Sequence, residues 1–154
     1  MGLHCLRGGF TKNANYCCFK GEIFLKWIKE VTGEDIDTSE TYKNFVNQLK
    51  DGTLICKFAN KMETNSITKA HAKPCNTFQY MNNLELFLSF VLTRGVHVQV
   101  KEQFRAMDLI KSRNHANVCL LLDALGREEY KRENGINDEE GQEENDEFLI
   151  LIIF

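Results

Sequence analysis

The chain has 154 residues, of which 43% are hydrophobic and 27% are charged, and its net charge is -3. This composition indicates one soluble globular domain, and the single proline excludes long Pro-rich linkers between several domains. The charge is uneven, because residues 133–147 contain eight acidic residues and no Lys or Arg, a charge of -8 that leaves +5 for the rest of the chain. A mildly basic body with an acidic tail suits an acidic protein partner, and it equally suits plain solubility.

The first 19 residues show neither a helical nor a strand period, and we interpret them as a poorly ordered leader. Helical spacing begins at Gly21, and Gly33 is the predicted stop of this first helix. Lys26 and Lys29 lie off the apolar stripe and are predicted to face solvent. The stripe itself consists of Ile23, Phe24, Trp27, Ile28 and Val31.

A charged corner, Lys50-Asp51-Gly52, separates two further predicted helices. The helix before it has Thr38 or Ser39 as its predicted cap. Gly52 can adopt the left-handed conformation that ends a helix without a side-chain clash. The helix after the corner, residues 53–61, is apolar on most sides, which predicts burial in the middle of a helical bundle.

A polar loop, residues 62–76, leads to residues 77–93, which we predict to be the longest helix, with Gly95 as its stop. A short helical piece is predicted around residues 101–109, and the last helix begins near Asn114 as its cap. We find no strand with a period of two and no internal repeat, so the sequence predicts an all-α bundle over residues 20–132. The side chains of the longest helix that we expect inside are Phe78, Met81, Leu84, Phe87, Leu88 and Val91.

The acidic tail, residues 133–154, is predicted to be disordered up to residue 147 and ends in the apolar segment FLILIIF, residues 148–154. Seven apolar residues are too few to span a bilayer, which takes about 20 in a helix. The segment is β-prone and would promote aggregation if it were exposed. Three interpretations stay open: it folds back on the bundle, it binds a partner's groove, or it comes from a misread exon.

The six cysteines and four histidines contain no C-x-x-C pair and no spacing typical of metal ligands, so we expect no zinc, no other cofactor and no native disulfide. Cys56 and Cys119 lie on apolar helical faces and are expected to pack as small hydrophobic residues in a reducing cytosol. No phosphate loop, nucleophile elbow or H-E-x-x-H motif is present. The body's charge of +5 is too small and too scattered to indicate nucleic-acid binding. An enzyme that uses Cys75 or Asp108 is the least favoured alternative.

Four segments carry a resemblance to a known family: EIFLKWIKEVTG, FVNQLKDGTLICKFANKM, FQYMNNLELFLSFVLTRGV and AMDLIKSRNHANVCLLLDALGR. In that order they resemble a calponin-homology (CH) domain of the single-domain type found in calponins and transgelins, over about residues 20–127. Trp27 resembles the tryptophan of the family's first helix, and Asp108-Leu109 resembles its D-L pair ahead of the last helix. The family's F-x-x-M-x-N-x-x-x-F region is matched with Phe78, Met81, Asn82, Leu84 and Phe87.

The resemblance implies a compact CH bundle, with one long central helix and short connecting helices, in a small non-enzymatic protein of the actin cytoskeleton, as in muscle. It implies a cytoplasmic monomer without a membrane span that binds actin filaments or actin regulators. Because the chain has one module and lacks the Gly-, Asn-, Lys- and Gln-rich repeats that follow the domain in calponins, we expect weak binding. The alternative is a signalling adaptor that docks a kinase or another regulator without direct actin binding.

The resemblance also points to where a partner would bind. In related domains the first helix and the region of the last helix contribute to filament contacts. The basic residues of this chain at those two places are Lys26, Lys29, Lys111 and Arg113, which are our candidate partner-binding residues. The other interpretation is that they are ordinary solvated charges.

Overall fold

The structure, a computed structural model, describes the backbone of residues 14–96, 98 and 103–135, with side chains from residue 21 onward. Within these ranges there are helices and no strand, which confirms the predicted all-α fold. The predicted leader and acidic tail lie largely outside the described residues. The helices are α1 (Ala14–Thr32), α2 (Tyr42–Leu49), α3 (Thr53–Met62), α4 (Thr77–Thr93), α5 (Ala106–Ile110) and α6 (His115–Asn134).

Both outer helices extend past the boundaries that the sequence predicted. The first helix, α1, begins at Ala14, so it includes residues 14–19 of the segment that the sequence analysis assigned to the leader. The last helix, α6, continues to Asn134, two residues into the predicted tail, and Gly135 ends it in the left-handed conformation, with φ of 65°. The sequence gives no periodic signal at either end because the residues there are mostly polar or small.

The centre of the bundle is α3, which contacts α1, α2 and α4. Trp27 of α1 is 7% exposed, and its ring meets that of Phe58 in α3 edge to face at 4.8 Å between centroids. The predicted burial of this helix and of Trp27 is therefore confirmed. The buried side chains of α3 are Leu54, Ile55, Cys56, Phe58 and Ala59.

At the Lys50-Asp51-Gly52 corner, Gly52 adopts the predicted left-handed conformation, and Asp51 forms hydrogen bonds with Thr53. Gly52 has φ of 76°, and a Cβ atom there would lie 2.5 Å from the Cβ of Asn83 in α4, so both the backbone and the packing require glycine. The carboxylate of Asp51 accepts hydrogen bonds from the backbone N–H and the hydroxyl of Thr53, at 2.9 and 2.8 Å. These bonds satisfy the start of α3 and turn the chain directly into the core.

Asn83 is the buried asparagine of α4, and the match of Asn82 to the family's pattern is wrong. Asn83 is fully buried, and its amide donates to the carbonyl oxygens of Asp51 and His71, both at 3.0 Å, while it accepts from the His71 N–H at 2.7 Å. Asn82, in contrast, is only half-buried. Counting F-x-x-M-x-N from Phe78 also places the asparagine at position 83.

A second asparagine fastens the long loop that follows α3. The amide of Asn60 donates to the Ile67 carbonyl at 2.9 Å and accepts from the Ile67 N–H at 2.8 Å. This two-way bond gives the buried Ile67 the backbone partners that a strand neighbour would otherwise supply. The loop over residues 63–76 is thus held at two interior points, at Ile67 by Asn60 and at His71 by Asn83.

Several local predictions need correction. The cap of α2 is Thr41, whose hydroxyl accepts from the Asn44 N–H at 3.1 Å, and not Thr38 or Ser39. The short helix α5 starts at Ala106, later than predicted, and Asn114 occupies the N-cap position of α6 without a side-chain capping bond. The longest helices are α6 and α1, with 20 and 19 residues, and not α4, with 17.

The most informative error concerns Phe78, which was expected inside and is 78% exposed. It is the second residue of α4, in the first turn of the helix. The bounds of α4 themselves, residues 77–93, are those predicted, and Asn76 caps it by accepting from the Gln79 N–H at 2.9 Å.

Candidate partner-binding surface

Lys26 and Lys29 lie on the exposed side of α1, as the apolar stripe predicted. Lys26 forms an ion pair with Glu22 at 2.7 Å, and Lys29 lies 3.7 Å from Asp35 in the loop after the helix. Their side chains are 46% and 47% exposed, so these pairs are weak and each lysine is available to another anion.

The two lysines line one open depression of about 560 Å³ beside the end of α1. Its other charged residues, Glu30, Glu34 and Asp35, are acidic. The local charge is therefore mixed, and Lys26 and Lys29 form a basic edge and not a dense basic patch.

Lys111 and Arg113 lie in the tight turn between α5 and α6, where both are exposed. The backbone of this turn is strained, with φ of 56° at Ser112 and 52° at Asn114. The guanidinium of Arg113 approaches the Asp108 carboxylate at 3.8 Å, and the Arg113 N–H donates to the Asp108 carbonyl at 2.6 Å. The turn thus holds Arg113 in place while its side chain stays 57% exposed.

The four candidate residues lie in two different elements, two on α1 and two in the α5–α6 turn. The depression that Lys26 and Lys29 line includes neither Lys111 nor Arg113. A partner that used all four would have to contact two places, the end of α1 and the α5–α6 turn.

His115, in the first turn of α6, is packed and not simply solvated. Its ring stacks on Tyr42 of α2 at 4.5 Å between centroids, and its Nε2 lies 3.2 Å from the Ser112 hydroxyl. Partial burial lowers the pKa of His115 below its ordinary value of 6.5. The stack joins the start of α2 to the start of α6.

The described cysteines are free thiols of two kinds. Cys56 and Cys119 are buried, as predicted, and Cys75 is exposed. Burial, and secondarily the charge of Asp51, raises the pKa of the Cys56 thiol to about 12, which makes it a poor nucleophile. Its Sγ donates to the Asn83 carbonyl at 3.3 Å. The remaining three, Cys5, Cys17 and Cys18, have no described side chains.

The buried aspartates Asp108 and Asp123 have local structural roles. The Asp108 carboxylate accepts from the Arg105 N–H at 3.3 Å at the start of α5, and Asp123 forms an ion pair with Arg127 at 3.3 Å, one turn apart on α6. No group of three or more His, Cys, Asp or Glu side chains in the described ranges could hold a metal ion. Among the helices of those ranges, none has the length and apolarity to cross a bilayer.

An ion-pair network around Arg94 was not predicted from the sequence. Arg94 follows α4, and its Nε and Nη2 donate to the two carboxylate oxygens of Glu129 in α6 at 2.7 and 2.8 Å. Its Nη1 donates to Glu63, just after α3, at 3.2 Å. One arginine therefore joins the ends of three helices whose residues are more than 30 positions apart in the chain.

Comparison with known proteins places the bundle in one family. Residues 20–131 match the family model of the calponin homology (CH) domain. Myophilin of Echinococcus granulosus is 35% identical over 103 residues, which are 67% of this chain and 52% of that protein. Muscle-specific protein 20 of Drosophila melanogaster is 30% identical over 69% of this chain and 54% of that protein.

A third relative, calponin-1 of Meleagris gallopavo, is 29% identical over 71% of this chain and 58% of its own length. The chain thus matches just over half of the length of each of these relatives. The family match at residues 20–131 takes in most of the helical bundle that the structure describes.

Proposed function

The chain belongs to the calponin homology domain family, and on that premise we propose that it is a small, non-enzymatic, actin-associated protein of the cytoplasmic cytoskeleton. The observation that carries the proposal is the family match over residues 20–131, which takes in nearly the whole described bundle. The relatives named for muscle and as a calponin support the same role. The binding module is the CH domain of residues 20–131.

A binding role, and not catalysis, also agrees with the chemistry of the described side chains. Asp108 serves the start of α5, His115 is stacked against Tyr42, and the pKa of Cys56 is raised by burial. A catalytic site needs several polar groups converging on one concave place. The linings of the two described depressions are mixed: Lys29 and Asp35 form an ion pair within one, and Trp27, Val31 and Met62 contribute to the other.

We further propose that the domain contacts actin filaments directly, with Lys26 and Lys29 as one contact and Lys111 and Arg113 as the other. All four side chains are exposed, and an acidic filament surface would attract them in preference to the weak ion pairs that three of them now make. The contact would be weak, because few charges take part and exposed pairs each contribute only about 0–1 kcal/mol.

The first test is co-sedimentation of the full chain with actin filaments over a series of salt concentrations. We expect binding at low salt that falls steeply as salt rises, because the Debye length shortens to about 8 Å at 0.15 M. Failure to sediment with filaments at the lowest salt would overturn direct binding.

The second test reverses the charge of the four candidates by changing Lys26, Lys29, Lys111 and Arg113 to Glu. A matched control changes four other exposed lysines, Lys43, Lys61, Lys69 and Lys73, to Glu, so both variants carry the same net charge. We expect the first variant to lose low-salt binding and the control to keep most of it. Equal loss in both variants would mean that total charge matters and these sites do not. Thermal unfolding checks that each variant is folded, since surface changes usually alter stability by about 0.5 kcal/mol or less.

A further inference from the structure

The chain contains one Asn-Gly pair, Asn134-Gly135, at the C-terminal end of α6. Asparagine is chemically labile, and it is most labile before glycine, because the backbone nitrogen of a glycine can approach the side-chain amide without obstruction by a Cβ atom. Both residues are exposed, so water and hydroxide can reach them. The pair therefore has the local chemistry of a deamidation site.

Deamidation at this pair needs no reactant other than water. The backbone nitrogen of Gly135 loses its proton to base and attacks Cγ of Asn134. A C–N bond forms, the Cγ–Nδ2 bond breaks, and Nδ2 leaves as ammonia. Water then opens the resulting succinimide ring at one of its two carbonyl carbons, which gives either aspartate or isoaspartate. The reaction consumes one water, releases one ammonia and involves no oxidation or reduction.

In the folded chain, the last turn of α6 holds both reacting groups in hydrogen bonds. The Gly135 N–H donates to the Lys131 carbonyl, and Nδ2 of Asn134 donates to the Tyr130 carbonyl at 2.9 Å. A hydrogen-bonded backbone amide loses its proton far more slowly than an amide in water, which is the basis of protection from hydrogen exchange. The reaction thus requires the last turn to open, and its rate depends on the free energy of that opening.

Arg94, at the end of α4, opposes this opening. Its guanidinium donates to both carboxylate oxygens of Glu129, at 2.7 and 2.8 Å, and its carbonyl accepts from Nη2 of Arg132 at 3.4 Å. The Glu129 side chain is 14% exposed, so this ion pair is stronger than one in full solvent. The two carbonyl acceptors of the last turn, at positions 130 and 131, lie between the two residues of α6 that Arg94 contacts.

We propose that Asn134 is a site of spontaneous deamidation and that Arg94 sets its rate by holding the last turn of α6. The product would change this end of the helix. A carboxylate at position 134 would lie beside Glu133 at the negative end of the helix dipole, and isoaspartate would also add a methylene group to the backbone. Either product destabilises the last turn, so the modification records the age of the chain and loosens the end of α6. The proposal does not depend on the actin role.

The first measurement follows the full chain during incubation in a mildly alkaline buffer, once folded and once in guanidinium chloride. Peptide mapping by liquid chromatography and mass spectrometry gives the fractions of aspartate and isoaspartate at position 134. We expect both products in both samples, with the folded chain reacting about tenfold more slowly, which corresponds to an opening free energy of about 1.4 kcal/mol. Asn134→Gln is the site control and should remove the products.

Two results of this measurement would overturn the proposal. An Asn134 that stays intact in guanidinium chloride while other asparagines react would mean that the site is wrong. Equal rates in the folded and the denatured chain would mean that α6 gives no protection.

The second measurement tests Arg94 with the variant Arg94→Gln. Its matched control is Arg113→Gln, the same substitution just before the start of α6, at the opposite end of the helix. We expect the folded Arg94→Gln chain to deamidate at least about threefold faster than the unchanged chain and the control to match the unchanged chain. Circular dichroism shows whether each variant is folded.

A third variant, Arg132→Gln, removes only the contact with the Arg94 carbonyl and should raise the rate by a smaller factor. It decides the question if Arg94→Gln does not fold. Unchanged rates in the folded variants of both Arg94 and Arg132 would overturn the role of Arg94.

Discussion

Two glycines with the same backbone conformation, Gly52 and Gly95, differ in what surrounds them. Their φ angles are 76° and 80°, but a Cβ at Gly52 would meet Asn83 at 2.5 Å, whereas one at Gly95 would meet nothing within 4 Å. Gly95→Ala thus measures the conformational cost alone, about 1–2 kcal/mol. We predict that Gly52→Ala costs about 1–3 kcal/mol more, because α4 must also move.

Urea unfolding of both glycine variants provides the measurement. Equal losses for Gly52→Ala and Gly95→Ala would mean that α4 yields to the added methyl group without cost. The two variants share the same chemical change and the same φ region, so their difference isolates the close approach of α3 and α4.

His115 gives a pH dependence whose sign follows from its surroundings. Burial against Tyr42 lowers the pKa of His115 in the folded chain below the 6.5 of the unfolded chain, so the unfolded chain binds more protons in acid. The free energy of unfolding should be at its full value above about pH 7.5 and should fall as the pH drops through 6.5 toward the lowered pKa.

The matched variant for this effect is His115→Phe, which keeps an aromatic ring against Tyr42 and removes the titration. We predict that the fall in stability between about pH 7.5 and 5.5 becomes shallower in this variant. If the two pH profiles are parallel, another group is responsible for the slope.

At the scale of helices, the neighbours Asn83 and Asn82 differ in what they contact: Asn83 is buried and joins α4 to two loops, whereas Asn82 is half-buried. Asn83→Ala would leave the Asp51 carbonyl and both backbone groups of His71 without their partner. We predict a loss of about 2–4 kcal/mol, since each buried polar group left unsatisfied costs about 1–3 kcal/mol. Asn82→Ala should change stability by about 0.5 kcal/mol or less. Comparable losses in chemical denaturation of the two variants would contradict the assignment.

The helices α3 and α4 show what helical periodicity can and cannot predict. The spacing of apolar residues gave the bounds of α4, the burial of α3 and the outward direction of Lys26 and Lys29, because these depend on neighbours within one turn. The same spacing wrongly predicted that Phe78 is buried. Because α4 has a single charged residue, the two faces of this helix look alike in the sequence. Which face meets α3 and α5 depends on tertiary contacts that periodicity does not contain.

The candidate surface was predictable to a similar extent. Exposure of the four basic residues followed from their positions off the apolar stripes or in a turn. Their ion pairs with Glu22, Asp35 and Asp108, and their separation into two places, require the relative placement of helices. The Arg94 network was missed for the same reason, since Glu63 and Glu129 are far from Arg94 in sequence and nothing local marks either as its partner.

At the scale of the whole molecule, the buried side chains of α1 to α6 form one continuous core. Single domains of this size with one core usually unfold in one cooperative step. We predict that the fluorescence of Trp27, the only tryptophan, and the far-ultraviolet circular dichroism follow the same urea transition. Separate midpoints would show that part of the bundle, such as α5 with its turn, unfolds independently.

The enclosure of α3 by α1, α2 and α4 has a consequence for amide hydrogen exchange. A helix that can open locally exchanges its amide hydrogens through small fluctuations, but half of the side chains of α3 are buried against its neighbours, so α3 cannot open without displacing them. Its slowest amides should therefore exchange only when the whole domain unfolds. The exchange rate of residues 54–59 would then report the free energy of global unfolding in native buffer, without denaturant and in the presence of any partner.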